Sequence, residues 1–400
     1  MRNFSLHISH ICLILLILLS PSSVIASPIP MIIFGDSLSD TGNMFSLSGG
    51  ALPPSPPYAE KFSNGLNWVD QIAADYGLGA PNNVYSSGVL AGEIDNFAIG
   101  GAYTGPWPFD FSSLGTLPSR NSNDGLVGAP ILPGLQGEVA LPGAALSQVE
   151  LFSLVSGGTA PSNARYTIWA GANDLIFAPE FSPAGTLASA DVAASGVTNI
   201  RMTIEDLAAM GAEKFLVLNL PDLGSTPLGI LSGREAELTA GTELFNIGLE
   251  RMITEVSATL GIEITLLDIH TIFDNLLAAA LADPAATGFP DVAALTSLGV
   301  PPGFAFCIDQ RALTNFCAPG FEPNDRIFWD LLHPTARTYS LIADAVVRTE
   351  IPEPTTLVLI GLGLAGLGFT RQGRFKLGLW GLGGIRAQSH SETNAKPILL

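Results

Sequence analysis

Short apolar runs alternate along the chain with longer segments in which apolar residues recur every three or four positions, the pattern of a parallel sheet covered by helices on both faces. The runs that predict strands are Met31 to Phe34, Asn96 to Ile99, Tyr166 to Ala170, Phe215 to Leu220 and Ile262 to Leu267, and each runs into Gly, Asn, Asp or Pro. Helical periodicity covers Trp68 to Tyr76, Leu146 to Val155, Ala190 to Met210 and Glu235 to Leu260. The expected fold is α/β, a three-layer α/β/α sandwich around a mainly parallel sheet of five strands. Residues 105–143 break the rhythm, being rich in Gly, Pro and Ser without a sustained period. A lid over a binding cleft and an irregular excursion both fit that composition. No repeat of solenoid or propeller length is present.

The two ends follow other rules. Arg2, the apolar run Ile11 to Leu19 and then Val24-Ile25-Ala26 make residues 1–26 a secretory signal peptide, with an apolar run too short to span a bilayer. At the other end Ile351-Pro352-Glu353-Pro354 precedes an apolar stretch, Thr355 to Thr370, and the basic residues Arg371, Arg374 and Lys376. This arrangement resembles the PEP-CTERM sorting tail of Gram-negative bacteria, which a membrane transpeptidase-like protease cleaves. The resemblance implies an exported protein, extracellular or at the cell surface, with residues 351–376 as an address. An ordinary single-pass anchor is the alternative. Residues 377–400, including the apolar patch LGLWGLGGI, form a further tail to which no role is assigned. The folded domain is expected to occupy residues 27–350.

Charge narrows the partners. The chain carries a formal net charge of −19, and the part between its ends is more acidic still, so nucleic acid is excluded as a partner. Of three cysteines, Cys12 leaves with the signal, and Cys307 and Cys317 remain as an even pair. In an exported protein the expectation is a disulfide, since the spacing is not a zinc pattern.

The candidate chemistry begins where the first strand ends, in Phe34-Gly35-Asp36-Ser37-Leu38-Ser39-Asp40-Thr41-Gly42-Asn43. Ser37 at such a strand end suits a nucleophile facing a ligand, and it equally suits a helix cap. The wider string resembles the first block of GDSL/SGNH hydrolases, and three further blocks follow in order. Asn96-Phe97-Ala98-Ile99-Gly100-Gly101-Ala102 matches the second, Gly171-Ala172-Asn173-Asp174 the third and Asp330-Leu331-Leu332-His333-Pro334-Thr335 the last. Asn219 to Pro227 also looks like the family, especially its lipase and autotransporter-esterase branches. The resemblance implies an SGNH, flavodoxin-like fold and an oxyanion hole made by the backbone N–H groups of Ser37 and Gly101 and the side-chain amide of Asn173, with Gly100 the neighbouring alternative to Gly101.

Histidine counting supplies an independent argument. Of five histidines, His7 and His10 lie in the signal and His390 in the tail, leaving His270 and His333 as bases for a serine. His270 follows Asp268 at a strand end, but Asp330 stands three residues before His333 and can orient that ring, which favours His333 as base and Asp330 as its partner. Asp36, Asp40 and Asp174 are expected to brace the loops. Trp68, Trp107, Phe109 and Phe111 are candidates for lining an acyl or sugar site, with core packing an equal account of Trp68. The expected activity is hydrolysis of carboxylic esters, lipase-, esterase- or lysophospholipase-like, by acyl transfer through Ser37, His333 and Asp330, with no metal or cofactor. A carbohydrate O-acetylesterase acting on extracellular polysaccharide, and a catalytically inert surface or matrix-binding protein, are the rival functions.

Overall fold

The computed structural model describes residues 29–105, 147–181, 188–291, 299–308 and 322–350. The expected signal peptide, residues 106–143 of the expected lid with Trp107, Phe109 and Phe111, Cys317, and the tails 351–376 and 377–400 lie outside these residues.

Six strands, β1 (Met31–Gly35), β2 (Asn82–Asn83), β3 (Ile94–Asn96), β4 (Arg165–Trp169), β5 (Lys214–Leu218) and β6 (Glu263–Leu267), form one sheet in the order β2-β3-β1-β4-β5-β6. Every described pairing is parallel. Every residue of β1 and β4 is buried, as is β5 after Lys214, because helices cover both faces of the central strands, whereas the edge strands β2 and β6 are only partly buried. Without β2 the order becomes that of a flavodoxin-like doubly wound sheet, whose ligands bind where the strand order reverses.

The sheet has six strands rather than the expected five. β2 is two asparagines, invisible to a hydrophobic pattern, and polar side chains hold it: Asn82 donates to Asp95 Oδ1 (2.6 Å) and Asn83 accepts from Thr41 Oγ1 (2.6 Å). β3 also lies earlier than expected. Beyond it the chain still follows β1, with Phe97 N–H on the Ile33 carbonyl (2.8 Å) and Ile99 N–H on the Gly35 carbonyl (3.2 Å), while the Asn96 side chain takes the Ala98 N–H between them (2.8 Å).

The helices are α1 (Asn43–Leu47), α2 (Trp68–Asp75), α3 (Gln148–Ser156), α4 (Ala172–Phe181), α5 (Ser189–Ala209), α6 (Pro227–Ser232), α7 (Glu235–Leu260), α8 (Ile269–Ala282) and α9 (Ala336–Glu350), with helical turns at Val84–Ser87 and Pro284–Thr287. Capping boxes start α2 (Asn67 with Asp70) and α3 (Ser147 with Glu150), satisfying backbone N–H groups that have no partner within the helix. Aromatic rings join α3 to the sheet: Phe34 stacks on Phe97 at 5.3 Å, and Phe152 meets Phe34 and Tyr166 edge-on, both at 5.9 Å.

Candidate active site

At the end of β1 the backbone runs so close to β4 that a Cβ on Gly35 would stand 2.4 Å from the Trp169 carbonyl oxygen, which requires glycine there. Buried Gln148, the first residue of α3, grips Gly35, accepting its N–H (2.9 Å) and donating to its carbonyl (2.7 Å). The following turn winds around carboxylates. Asp36 accepts the Leu38 N–H (2.9 Å), and Asp40 accepts the N–H groups of Gly42 (2.8 Å), Asn43 (2.7 Å) and Met44 (3.1 Å) where α1 begins. Ser37 is thereby held at the carboxyl end of β1, beside the end of β4, at the reversal of strand order.

Asn173 sits in the first turn of α4, buried, and donates one of its two amide hydrogens to the Ala102 carbonyl (2.9 Å). The two adjacent glycines of the second block differ in engagement. Gly100 N–H is committed to Asp40 Oδ2 (2.8 Å), whereas Gly101, left-handed at φ 78°, takes no acceptor among the described residues.

Asp330 and His333 come from a turn that Phe328 and Pro334 close as an antiparallel bridge. Asp330 Oδ1 accepts the N–H groups of Leu332 (2.8 Å) and His333 (2.7 Å), while Oδ2 lies 2.8 Å from His333 Nδ1. The opposite ring nitrogen, Nε2, is 2.7 Å from Ser37 Oγ. An ionised carboxylate only accepts, so Nδ1 carries the proton toward Asp330 and Nε2 is left to accept from the serine hydroxyl. The Phe62 ring packs against the imidazole, centroids 5.2 Å apart.

Burial dominates the electrostatics around this group. It pushes the carboxyls of Asp36 and Asp174 up to about 7 and that of Asp40 up to about 6. The hydrogen bonds that Asp174 accepts from Thr104, through its N–H (3.1 Å) and its hydroxyl (2.6 Å), work in the opposite direction. Asp40, through Gly100, and Asp174, through Thr104, tie the β1 and α4 loops to the second-block loop, whereas Asp36 bonds within its own turn.

The structure brings together Ser37, His333 and Asp330. His270 is elsewhere, in the first turn of α8 with Nδ1 3.3 Å from Asp274, while its neighbour Asp268 caps that helix and accepts from Asn219 (2.9 Å). Trp68 packs in the core against Trp169 and donates to Ser39 Oγ (3.2 Å). Cys307 is buried and disulfide-bonded. Leu38, Ala172, Leu332 and Pro334, chain neighbours of Ser37, Asn173 and His333, line a small cavity of about 20 Å³, room for roughly one water, together with Phe273 and Leu277 on α8.

Residues 31–346 match the model of the family described as GDSL-like Lipase/Acylhydrolase. The chain belongs to the GDSL lipase/acylhydrolase family. It is thus an ester hydrolase by family, on the α/β fold expected of an SGNH enzyme. This GDSL hydrolase is 28% identical over 344 residues to a GDSL esterase/lipase of Arabidopsis thaliana, covering 79% of this chain and 87% of the relative. It is 23% identical over 371 residues to a phosphatidylcholine-sterol acyltransferase of Aeromonas hydrophila, covering 84% and 94%. A thermolabile hemolysin of Vibrio parahaemolyticus is 24% identical over 324 residues, 80% of this chain but 63% of the relative. Residues 350–372 match the PEP-CTERM protein-sorting motif, which implies export, sorting to the cell surface of a Gram-negative bacterium and processing there.

Three residues of this GDSL hydrolase's site escaped the sequence argument: Gln148, Phe62 and Tyr58, whose hydroxyl donates to Asp330 Oδ2 (2.8 Å). Gln148 begins a predicted helix, yet nothing in its neighbours distinguishes a buried clamp from a surface amide. Phe62 and Tyr58 lie in a Pro-rich stretch without period, and only Tyr58's position among apolar neighbours in an otherwise polar loop offers a signal.

Proposed function

We propose that this chain is an exported serine hydrolase that cleaves carboxylic esters, lipase-, esterase- or lysophospholipase-like, through Ser37 as nucleophile, His333 as general base and Asp330 as the group that orients the imidazole. The observation that carries the proposal is the continuous pair of contacts from Asp330 Oδ2 to His333 Nδ1 (2.8 Å) and from His333 Nε2 to Ser37 Oγ (2.7 Å). In the first step Ser37 Oγ attacks the ester carbonyl carbon as its proton passes to Nε2. The N–H groups of Ser37 and Gly101 and the second amide hydrogen of Asn173 face the oxyanion that forms, and Gly101 takes that role in preference to Gly100 because the Gly100 N–H is held by Asp40. His333 then protonates the departing alcohol, and a water activated by the same imidazole releases the acid from the acyl-enzyme.

A lipase- or esterase-like preference over deacetylation of polysaccharide is supported by the relatives, an esterase/lipase and a phosphatidylcholine-sterol acyltransferase. The proposed organisation is a signal peptide at 1–26, a hydrolase domain at 27–350 with a loop or lid insertion at 105–143, a Cys307–Cys317 disulfide, and a sorting segment at 351–376 cut by a membrane protease. Turnover on p-nitrophenyl esters from acetyl to long acyl chains, beside acetylated xylan, tests the substrate. A rise in kcat/KM beyond the acetyl ester is expected, and a sharp acetyl optimum with xylan deacetylation overturns it.

A further inference from the structure

Resting on the proposed triad, we propose that Tyr58 is a positioning residue for this reaction, setting the charge that Asp330 presents to His333. Tyr58 lies in the loop between α1 and α2, far along the chain from Asp330, and both are buried. Its hydroxyl donates to Asp330 Oδ2 at 2.8 Å, the same oxygen that lies 2.8 Å from His333 Nδ1. The donor direction follows from chemistry, because an ionised carboxylate has no hydrogen to give. The ring is fixed independently of that bond: it meets Trp329 edge-on at 6.0 Å, in a cluster with buried Cys307 and Ile308.

Oδ1 takes the N–H groups of Leu332 and His333 and also lies 3.0 Å from His333 Nδ1, whereas Oδ2 is the nearer oxygen to the ring, at 2.8 Å, and takes the phenol as well. A charge-assisted bond at Oδ2 draws off part of the carboxylate's negative charge. It also anchors the carboxylate in the orientation that faces Nδ1. Tyr58 reaches the reacting atoms only through Asp330 and the ring, so its loss should act on kcat and on protonation, not on substrate affinity.

Tyr58→Phe keeps the ring and its Trp329 contact and removes the donor. The expected result is a kcat lower by about tenfold, because the carboxylate loses the bond that fixes its orientation toward the ring and that loss outweighs its greater charge, an unchanged KM, and an acidic limb of the kcat/KM profile moved to higher pH, because the unshared carboxylate stabilises the imidazolium more. Replacing Tyr58 with 3-fluorotyrosine, an almost isosteric stronger donor, should move the limb to lower pH and keeps the idea testable if the phenylalanine variant fails to fold. In an Asp330→Asn background, Tyr58→Phe should add no further loss. A merely structural tyrosine lowers the melting temperature while kcat and the limb stay native, which overturns the inference. An equal tenfold loss on top of Asp330→Asn also overturns it, by showing another route. Failure of the triad itself reads differently: Asp330→Asn alone would then turn over at the native rate.

Discussion

Replacing Gly100 with alanine attacks the site without touching any proposed catalytic group. A Cβ there would stand 2.2 Å from Cε2 and 2.4 Å from Cζ of Phe62, and ordinary contact begins at 3.4 Å, so the two must part by about 1.2 Å. Phe62 is only 7% exposed and its ring lies 5.2 Å from the His333 ring, so a ring that retreats presses on the imidazole. A backbone that retreats instead pulls the Gly100 N–H from Asp40 (2.8 Å) and carries Gly101 with it. Either route misplaces a reacting group by roughly 1 Å, which costs about a hundredfold in rate, while overpacking costs about 1–3 kcal/mol of stability. Gly100→Ala should therefore lose about a hundredfold in kcat with little change in KM. Adding Phe62→Leu, which removes the obstructing ring, should recover most of the stability. The assay is steady-state hydrolysis of a p-nitrophenyl ester, with active sites counted by fluorophosphonate titration so that unfolded enzyme does not enter the rate. Native turnover per titrated site would refute the reasoning, since it would mean that neither Phe62 nor the second-block loop holds the site in register.

Asn173→Ala should lower kcat by about 10²–10³-fold through loss of an oxyanion donor, and cost about 1 kcal/mol of stability for the bond to Ala102; a stability loss at native kcat would make Asn173 a turn residue. Asp36 has its carboxyl raised from 3.8 to about 7 by burial. Between those values the folded state holds the extra proton, so stability falls as pH rises and the full cost is present above about 7. Asp36→Asn keeps an acceptor for Leu38 and should flatten the decline in melting temperature across that window; a native slope contradicts the assignment. Arg326 and Asp291 form a buried pair at 2.6 Å, each 2% exposed, and Arg326 also donates to the Phe306 carbonyl. Asp291→Ala should cost about 3–5 kcal/mol in urea unfolding, because it strands a buried guanidinium.

Most elements with a strong apolar period were legible in the sequence, and elements made by polar side chains were not; α9 escaped although its buried Tyr339, Ile342, Ala343 and Val346 recur at helical intervals. The bounds of α7 coincide with the expected helix Glu235 to Leu260, and β1 differs from its expected strand by one residue. The pair Asn82–Asn83 offers no such signal, because its place in the sheet depends on Asp95 and Thr41, which are distant in sequence. α8 escaped although its buried Ile269, Phe273, Leu277 and Ala280 recur at helical intervals; an almost unbroken apolar background hid that period. At the site, Ser37 and the Asp330–His333 pair were readable, since only two of the five histidines lie between the ends, Asp330 stands three residues before one of them, and Ser37 sits in a distinctive strand-end block. The choice between Gly100 and Gly101 was not, because it turns on one hydrogen bond across the fold, from Gly100 N–H to Asp40. Tyr58 was hidden for the same reason, its partner lying in the last block.

The central claim is that Ser37 is the nucleophile, activated by an imidazole 2.7 Å away. Reaction of the full chain with a fluorophosphonate, followed by intact mass and peptide mapping, tests it most directly. The account predicts one adduct, on Ser37, absent in Ser37→Ala and formed far more slowly in His333→Ala. An adduct that persists in Ser37→Ala, or a native protein that ignores the reagent, would contradict it.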